Sequence, residues 1–393
     1  MSFLKRVTAI ALSPIIAASA LHATNGDQMI ATGTKSMGMG GVSVAIPFGA
    51  ESGLANPALI TYVENSEASG SITLFFPSIK TKSKGFFNPD NSYKKSDSDF
   101  YLMPSIQYAT HLGGKAYAGL GVWGVAGMGV DFSDVSRGSG LMQMKDDLMI
   151  MHISAPLALK EGGMRIGIAP ILQLGMLDIH YDNGGSVKGH PFNKEWEANP
   201  GAVIGMAYDF DNGLILGAKY RTPISMNYEN SDGGDDLDLQ QPGEFGLGMS
   251  YNYGPHTLAF DYKRIQWGSA DGYESFGWKD QNVYAVGYQY QAEGWAIRLG
   301  YNHGKSPIRT GSDERFRDYF NLLGFPATSE DHYTLGGSYI INNRFSFDLA
   351  AVYSPKVTTD GNLLIRDKGN AIDEFISNQH SEFSLTAQID YKF

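Results

Sequence analysis

The 393-residue chain holds 48 Gly, 22 Tyr, 21 Phe and 5 Trp, no Cys, and a formal net charge of −11. Glycine weakens helix interiors and aromatics favour strands, so this composition points away from a helical bundle. The acidic balance excludes the basic footprint of a nucleic-acid binder, and the lack of Cys excludes a disulfide framework or a thiolate metal site.

Residues 1–23 carry Lys5 and Arg6, an apolar stretch from Val7 through Ala20, and then small residues. This is the layout of a secretory signal peptide, and the shortness of the run, interrupted by Pro14, argues against an uncleaved anchor helix. Cleavage after Ala20 or after Ala23 fits, and Ala23 is favoured although Leu21 is bulky. Beyond this point no apolar run is long enough for a helical membrane span. A soluble chain of this length would usually divide into domains, yet no linker-like stretch is present.

Residues 24–64 do not alternate and are rich in glycine, including Gly26, Gly33, Gly38, Gly40, Gly41, Gly49 and Gly53. A free tail would be more charged and polar. Small residues allow close backbone approach, so this segment is expected to pack inside the rest of the chain as a plug.

From residue 65 onward the period is two. In the last segment Phe383, Leu385, Ala387, Ile389, Tyr391 and Phe393 alternate with Ser384, Thr386, Gln388, Asp390 and Lys392, which places the apolar side chains on one face. Similar patterns predict strands near 66–76, 99–110, 114–126, 147–159, 163–181, 199–210, 213–228, 240–252, 255–266, 280–291, 294–303, 328–341, 344–355 and 381–393, fourteen in all. Tight turns such as Asp211-Asn212, Tyr253-Gly254 and Asn342-Asn343 alternate with long links at 77–98, 127–146, 182–198, 229–239, 267–279, 304–327 and 356–380. Alternating short and long connections describe an antiparallel transmembrane β-barrel of the Gram-negative outer membrane, with periplasmic turns and external loops. Apolar faces would meet lipid and polar faces a lumen, which a bilayer permits only in a closed sheet. Tyr101, Tyr108, Tyr262 and Tyr353 suit interfacial girdles, and Phe393 suits recognition by a barrel-assembly machinery.

Two long loops are apolar for external segments. One holds Phe132, Met142 and Met144, the other Phe316, Tyr319, Phe320, Leu322, Leu323 and Phe325. They are either exposed binding surface or folded back on the barrel rim. The acidic stretch 229–238 lacks a calcium-loop spacing and fits a solvated loop. Gly38-Met39-Gly40-Gly41 is followed by no Lys-Ser/Thr, and no HExxH or G-x-S-x-G occurs, so neither an enzyme, a cofactor nor a metal site is expected.

The run Gly33…Ser36-Met37-Gly38-x-Gly40-Gly41 with Asn56-Pro57-Ala58, and later Gly277-Trp278-Lys279-Asp280, Ser306-Pro307-Ile308 and the closing Ile389-Asp390-Tyr391-Lys392-Phe393, resembles the FadL/OmpP1/TodX transporters of hydrophobic compounds. The resemblance implies an all-β, fourteen-stranded barrel (65–393) closed by an N-terminal hatch (24–64). It also implies passive, gated uptake of long-chain fatty acids or hydrocarbons past outer-membrane lipid and lipopolysaccharide. An inward kink in the third strand would open a side exit, with Gly121, Gly124 and Gly127 as kink candidates and Asn56, Pro57 and Ala58 beside it. A fatty-acid carboxylate would call for a basic residue near the end of the fifth strand, where Leu177-Asp178-Ile179-His180-Tyr181 has none; His180, Lys279 and Arg298 are possible substitutes. A general diffusion porin, or an adhesin or phage receptor acting through its loops, are the alternatives.

Overall fold

Two-residue alternation leaves each strand with one apolar and one polar face, and in the computed structural model those strands pair into one closed sheet. The structure describes residues 24–84, 92–182, 184, 188–311, 315–367 and 370–393, of which 84, 315–316, 362–367 and 370–374 by backbone alone. The expected leader, 1–23, and the side chain of Phe316 lie outside what is described.

The strands are β1 (Ser66–Lys84), β2 (Tyr101–Gly113), β3 (Ala116–Asp131), β4 in two pieces (Lys145–Ser154 and Leu157–Glu161), β5 (Met164–Asp182), β6 (Lys188–Asp209) and β7 (Leu214–Arg221). The second half supplies β8 (Glu244–Tyr253), β9 (His256–Ile265), β10 (Gln281–Ala292), β11 (Trp295–Gly304), β12 (Asp331–Ile340), β13 (Phe345–Asp367) and β14 (Asn370–Lys392). Each pairs antiparallel with the next, and β14 returns to β1 with Phe383 opposite Phe76 and Thr386 opposite Thr73. The result is a closed antiparallel barrel of 14 strands. Closure leaves no open edge to face hydrocarbon.

The faces fall as expected: Phe383, Leu385 and Ile389 point outward, while Ser384, Thr386, Gln388 and Asp390 are buried inside. On the loop side an aromatic row crosses successive ladders, with Tyr301 opposite Tyr333, Tyr333 opposite Tyr353, Tyr353 opposite Phe383 and Phe383 opposite Phe76. Amphipathic rings at one height suit a membrane interface. Tyr353 and Tyr108 face outward; Tyr101 is buried inside, because its position in β2 puts it on the inner face beside Phe75, and it belongs to no girdle.

Several strand limits differ from expectation. The stretches 182–198 and 356–380 largely continue as paired strand in the β5–β6 and β13–β14 hairpins. Pairing beyond the membrane needs no apolar face, so the alternation that marks a strand disappears there. Strand β7 ends at Arg221, where Thr222 and Pro223 follow and proline cannot donate to the ladder. Pro156 breaks β4 for the same reason.

Residues 24–63 are almost wholly buried. They form a small hairpin (Thr24–Asn25 with Gln28–Met29), two single-turn helices, α1 (Thr34–Met37) and α2 (Ser52–Ala55), and a 3₁₀ helix, Pro57–Tyr62.

Candidate functional site

A buried segment with little regular structure must find partners for its backbone amides and carbonyls, or forfeit their hydration. Here the inward side chains of the barrel supply them. Asp261 on β9 accepts from the Ser43 and Val44 amides at 2.6 and 3.0 Å. Lys263 donates to the Ile30 and Gly41 carbonyls at 3.2 and 3.0 Å. Gly40 is held at both ends, its amide by Thr334 at 2.8 Å and its carbonyl by Asn302 at 3.0 Å.

Lys35 bridges Asp390 at 2.5 Å and Asp348 at 3.5 Å. Beside it Glu51 accepts from the Lys35 and Ser36 amides at 3.1 and 3.2 Å and from the Gln388 side chain at 2.8 Å. Burial pushes Glu51 up to about 7, against the opposing pull of Lys35. An acid raised in the fold binds its proton there over pH values at which the unfolded chain has released it. The stability it contributes is therefore complete below about 4.5 and is lost as pH rises toward 7. The thermal midpoint of the barrel is expected to fall across that window, and Glu51→Gln is expected to flatten this part of the profile when both are followed by circular dichroism.

The segment lies close to the wall because the wall is glycine where they meet. Gly167 faces Gly205 across β5 and β6, Gly217 faces Gly248 across β7 and β8, and Gly287 faces Gly300 across β10 and β11. A Cβ on Gly167 would lie 2.7 Å from the Ala58 amide nitrogen, one on Gly287 2.6 Å from the Met39 carbonyl oxygen, and one on Gly336 2.9 Å from the Gly38 Cα. These strand glycines were not anticipated; their signal is a glycine at matching positions of paired strands, which the apolar/polar pattern does not register.

Asn56-Pro57-Ala58, expected beside the third strand, is seated chiefly on β5 and β6, and the 3₁₀ helix that Pro57 opens also lies against β3. Asn56 donates to the Val44 and Met206 carbonyls at 2.7 and 3.2 Å and accepts from the Ala58 amide at 3.1 Å. The part of the segment hydrogen-bonded to β3 is Asp27-Gln28. Gln28 pairs with Ala126, and the Gly127 amide donates to the Asp27 carbonyl at 2.9 Å. The Asp27 carboxylate accepts from Gln241 at 2.8 Å and from the Tyr273 hydroxyl; burial pushes it up to about 6 against these bonds.

Strand β3 departs from its neighbour at the glycines. The β2–β3 ladder stops at Ile106 opposite Val122, and the β3–β4 ladder has a bulge at Val125, between Gly124 and Ala126. Above the break, Asp131 binds Ser96 and Asp97, its amide donating to the Ser96 hydroxyl and its carbonyl accepting from the Asp97 amide, both at 2.8 Å. Between these limits lies an unzipped seam filled by apolar side chains: Tyr101 and Met103 from β2 with Trp123, Val125 and Met128 from β3, all buried. The Trp123 ring occupies the space where Gly121 has no Cβ, whereas a Cβ on Gly124 would meet only Met103, at 3.9 Å. Sequence reasoning singled out the three glycines and missed Trp123, Met103 and Tyr101.

The seam is continuous with an apolar cluster on the loop side. Phe132, Leu141 and Met144 from one long loop, and Tyr319, Leu322, Leu323 and Phe325 from the other, belong to the same buried cluster as Trp123, Trp267 and Trp278. Helix α3 (Arg315–Leu323) carries several of them inward. The loops have thus folded back, and the exposed capture surface considered from sequence is absent at these residues; Met142 and Phe320 are half-buried. The proposed carboxylate partners do not converge. Arg298 is on the turn side, bound to Gln289 and Ser338 at 2.7 Å each and to Asp348 at 3.4 Å, and it lines a vestibule of about 540 Å³ with Lys35 and Asp390. Lys279 is exposed in a loop, and His180 packs edge-on to His190 with ring centres 5.5 Å apart.

Residues 177–354 match the model of a Gram-negative porin family. No curated protein sequence matches the chain. Among solved structures, a Pseudomonas aeruginosa FadL homologue is similar with a TM-score of 0.72 and 15% identity, over 94% of this chain and 100% of that one. The P. putida toluene transporter TodX gives 0.68 and 15% identity over 94% and 99%, and the Ralstonia pickettii toluene transporter TbuX gives 0.64 and 15% over 94% and 99%. At this identity the likeness is one of fold.

Proposed function

We propose that the chain is a FadL/OmpP1/TodX-type channel of the Gram-negative outer membrane that admits small hydrophobic compounds passively. In this proposal residues 24–63 act as a hatch, the loop-side apolar lumen takes up the solute, and the seam between β2 and β3 releases it sideways. The observation that carries the proposal is the seam itself: a stretch of barrel wall without ladder bonds, filled by Met103, Trp123, Val125 and Met128 and continuous with the apolar cluster. Burial supplies roughly 0.8 kcal/mol per methylene to a solute entering such a space. Sideways release answers the problem that the turn-side half of the lumen is occupied by the N-terminal segment.

The lumen favours an uncharged solute. The cations buried at the vestibule, Arg298 and Lys35, are engaged with Asp348 and Asp390, while Arg344 and Lys392 line its exposed rim, away from the apolar cluster. The porin-family match is the observation favouring a general diffusion pore; against it stands the apolar filling of the loop-side lumen. Uptake into outer-membrane vesicles distinguishes the readings. Radiolabelled toluene is expected to enter at least about tenfold faster with the chain than without it, a long-chain fatty acid less so, and a hydrophilic sugar not at all. Rapid sugar entry with no gain for toluene would establish the porin.

A further inference from the structure

We propose that Gln107, Trp123, His152 and Gln173 form a seat for one hydroxyl group at the foot of the seam. The channel then favours an apolar solute carrying a hydroxyl, an alkylphenol for example, over a plain hydrocarbon. This inference rests on the transport reading and narrows its solute class.

Pairing register brings the four together on the inner face. Gln107 on β2 is opposite Gly121, whose missing Cβ makes room for the Trp123 ring. Trp123 is opposite His152 on β4, and His152 is opposite Gln173 on β5. Tyr228, from the link after β7, brings its hydroxyl to Gly175, one inward step beyond Gln173. None of the five side chains belongs to a residue more than 1% exposed. Buried polar atoms ordinarily find partners, because an unpaired one forfeits its hydration. Here Gln107 Nε2 and Oε1, Trp123 Nε1, His152 Nδ1, Gln173 Nε2 and the Tyr228 hydroxyl have none among the described residues.

What these atoms can bind follows from their types. His152 Nε2 and Gln173 Oε1 lie 2.9 Å apart, which puts the proton of the neutral ring on Nε2 and leaves a lone pair on Nδ1. The free set is therefore mixed: Trp123 Nε1 and the two amide nitrogens donate, while His152 Nδ1 and Gln107 Oε1 accept. A hydroxyl uses both kinds at once, whereas a carbonyl or an ether uses the donors alone. An anion is poorly served. Arg221, whose charge reaches His152 from β7, is held by Glu244 at 3.6 Å and by the Pro242 carbonyl at 3.4 Å. Toward the loop side the same strands present Met103, Val125 and Ile150, all in the apolar cluster. They would receive the hydrocarbon body of the solute when β2 and β3 part.

Two solutes of one shape test the proposal, p-cresol and p-xylene, which differ by a hydroxyl in place of a methyl. Binding of each labelled solute to the detergent-extracted barrel is read by equilibrium dialysis, and its entry into outer-membrane vesicles is read beside it. Gln107→Met keeps the length of the side chain and removes both free atoms. Comparing each solute between wild type and variant cancels its partition into detergent or lipid. The variant is expected to weaken p-cresol about fivefold more than p-xylene, as loss of one net hydrogen bond implies. Its thermal midpoint is expected to hold or rise, because the Gln107 side chain makes no hydrogen bond for the fold to lose. A lowered midpoint with both solutes weakened alike marks a structural glutamine and overturns the proposal. Equal binding of p-cresol by wild type and variant also overturns it, leaving the free atoms to ordered water. If Gln107→Met does not assemble, Gln173→Met carries the same comparison. Selective loss of p-cresol binding, with neither solute entering faster than into vesicles lacking the chain, would keep the seat and reject the transport reading.

Discussion

Gly300→Val is expected to turn a closed barrel into an ion-conducting one. A Cβ at this position would overlap the backbone of Met39 and Gly40, lying 2.7 Å from the Gly40 Cα. A flexible side chain could swing aside, but these are main-chain atoms fixed on either side by Thr334 and Asn302. Overpacking of this kind costs about 1–3 kcal/mol, and displacing Gly40 also gives up both of those hydrogen bonds. The wall should survive, because Gly300 remains paired with Gly287 and Thr334 and valine suits a strand. The strain is therefore relieved by moving the N-terminal segment, which opens the turn-side half of the barrel to water. In planar bilayers the variant is expected to show stepwise conductance where the wild type shows little. Gly70→Val is the control, since a Cβ there meets nothing within 4 Å. Equal conductance of Gly300→Val and wild type would contradict the packing of the segment as a stopper.

What was legible in the sequence follows from where a single physical demand acts on each residue. Within the bilayer one face must be apolar, and the patterns of Phe383–Phe393 and Trp295–Tyr301 recorded that demand plainly. Outside the bilayer the demand lapses, and the outer halves of the β5–β6 and β13–β14 hairpins carry no alternation that separates them from loops. Inside the barrel the requirement is close approach, met by glycines such as Gly167, Gly205, Gly287 and Gly300, whose significance lies in pairing register that a single strand does not reveal. The same holds for the seam. Gly121 and Gly124 announced an irregular strand, but Trp123 folding over Gly121, and Asp27-Gln28 rather than Asn56 hydrogen-bonding to β3, depend on contacts between distant parts of the chain. The apolar loops left two readings open, and packing of Leu322 and Phe132 into the common cluster decides for the inward one.

The lateral route rests on movement of β2 against β3, and a reversible bond between them addresses it most directly. A Cβ on Gly124 stands 3.9 Å from the Met103 Cβ, inside the range of about 3.5–4.5 Å that a disulfide spans. The chain contains no other cysteine, so Met103→Cys with Gly124→Cys introduces the only thiols. The bond would join the two strands where their ladder is absent, without adding bulk to the lumen or touching the N-terminal segment. Uptake of toluene by vesicles carrying the oxidised double variant is expected to fall at least about tenfold and to return when the bond is reduced, with each single variant near wild type. Undiminished uptake through a fully cross-linked seam would contradict passage through the barrel wall.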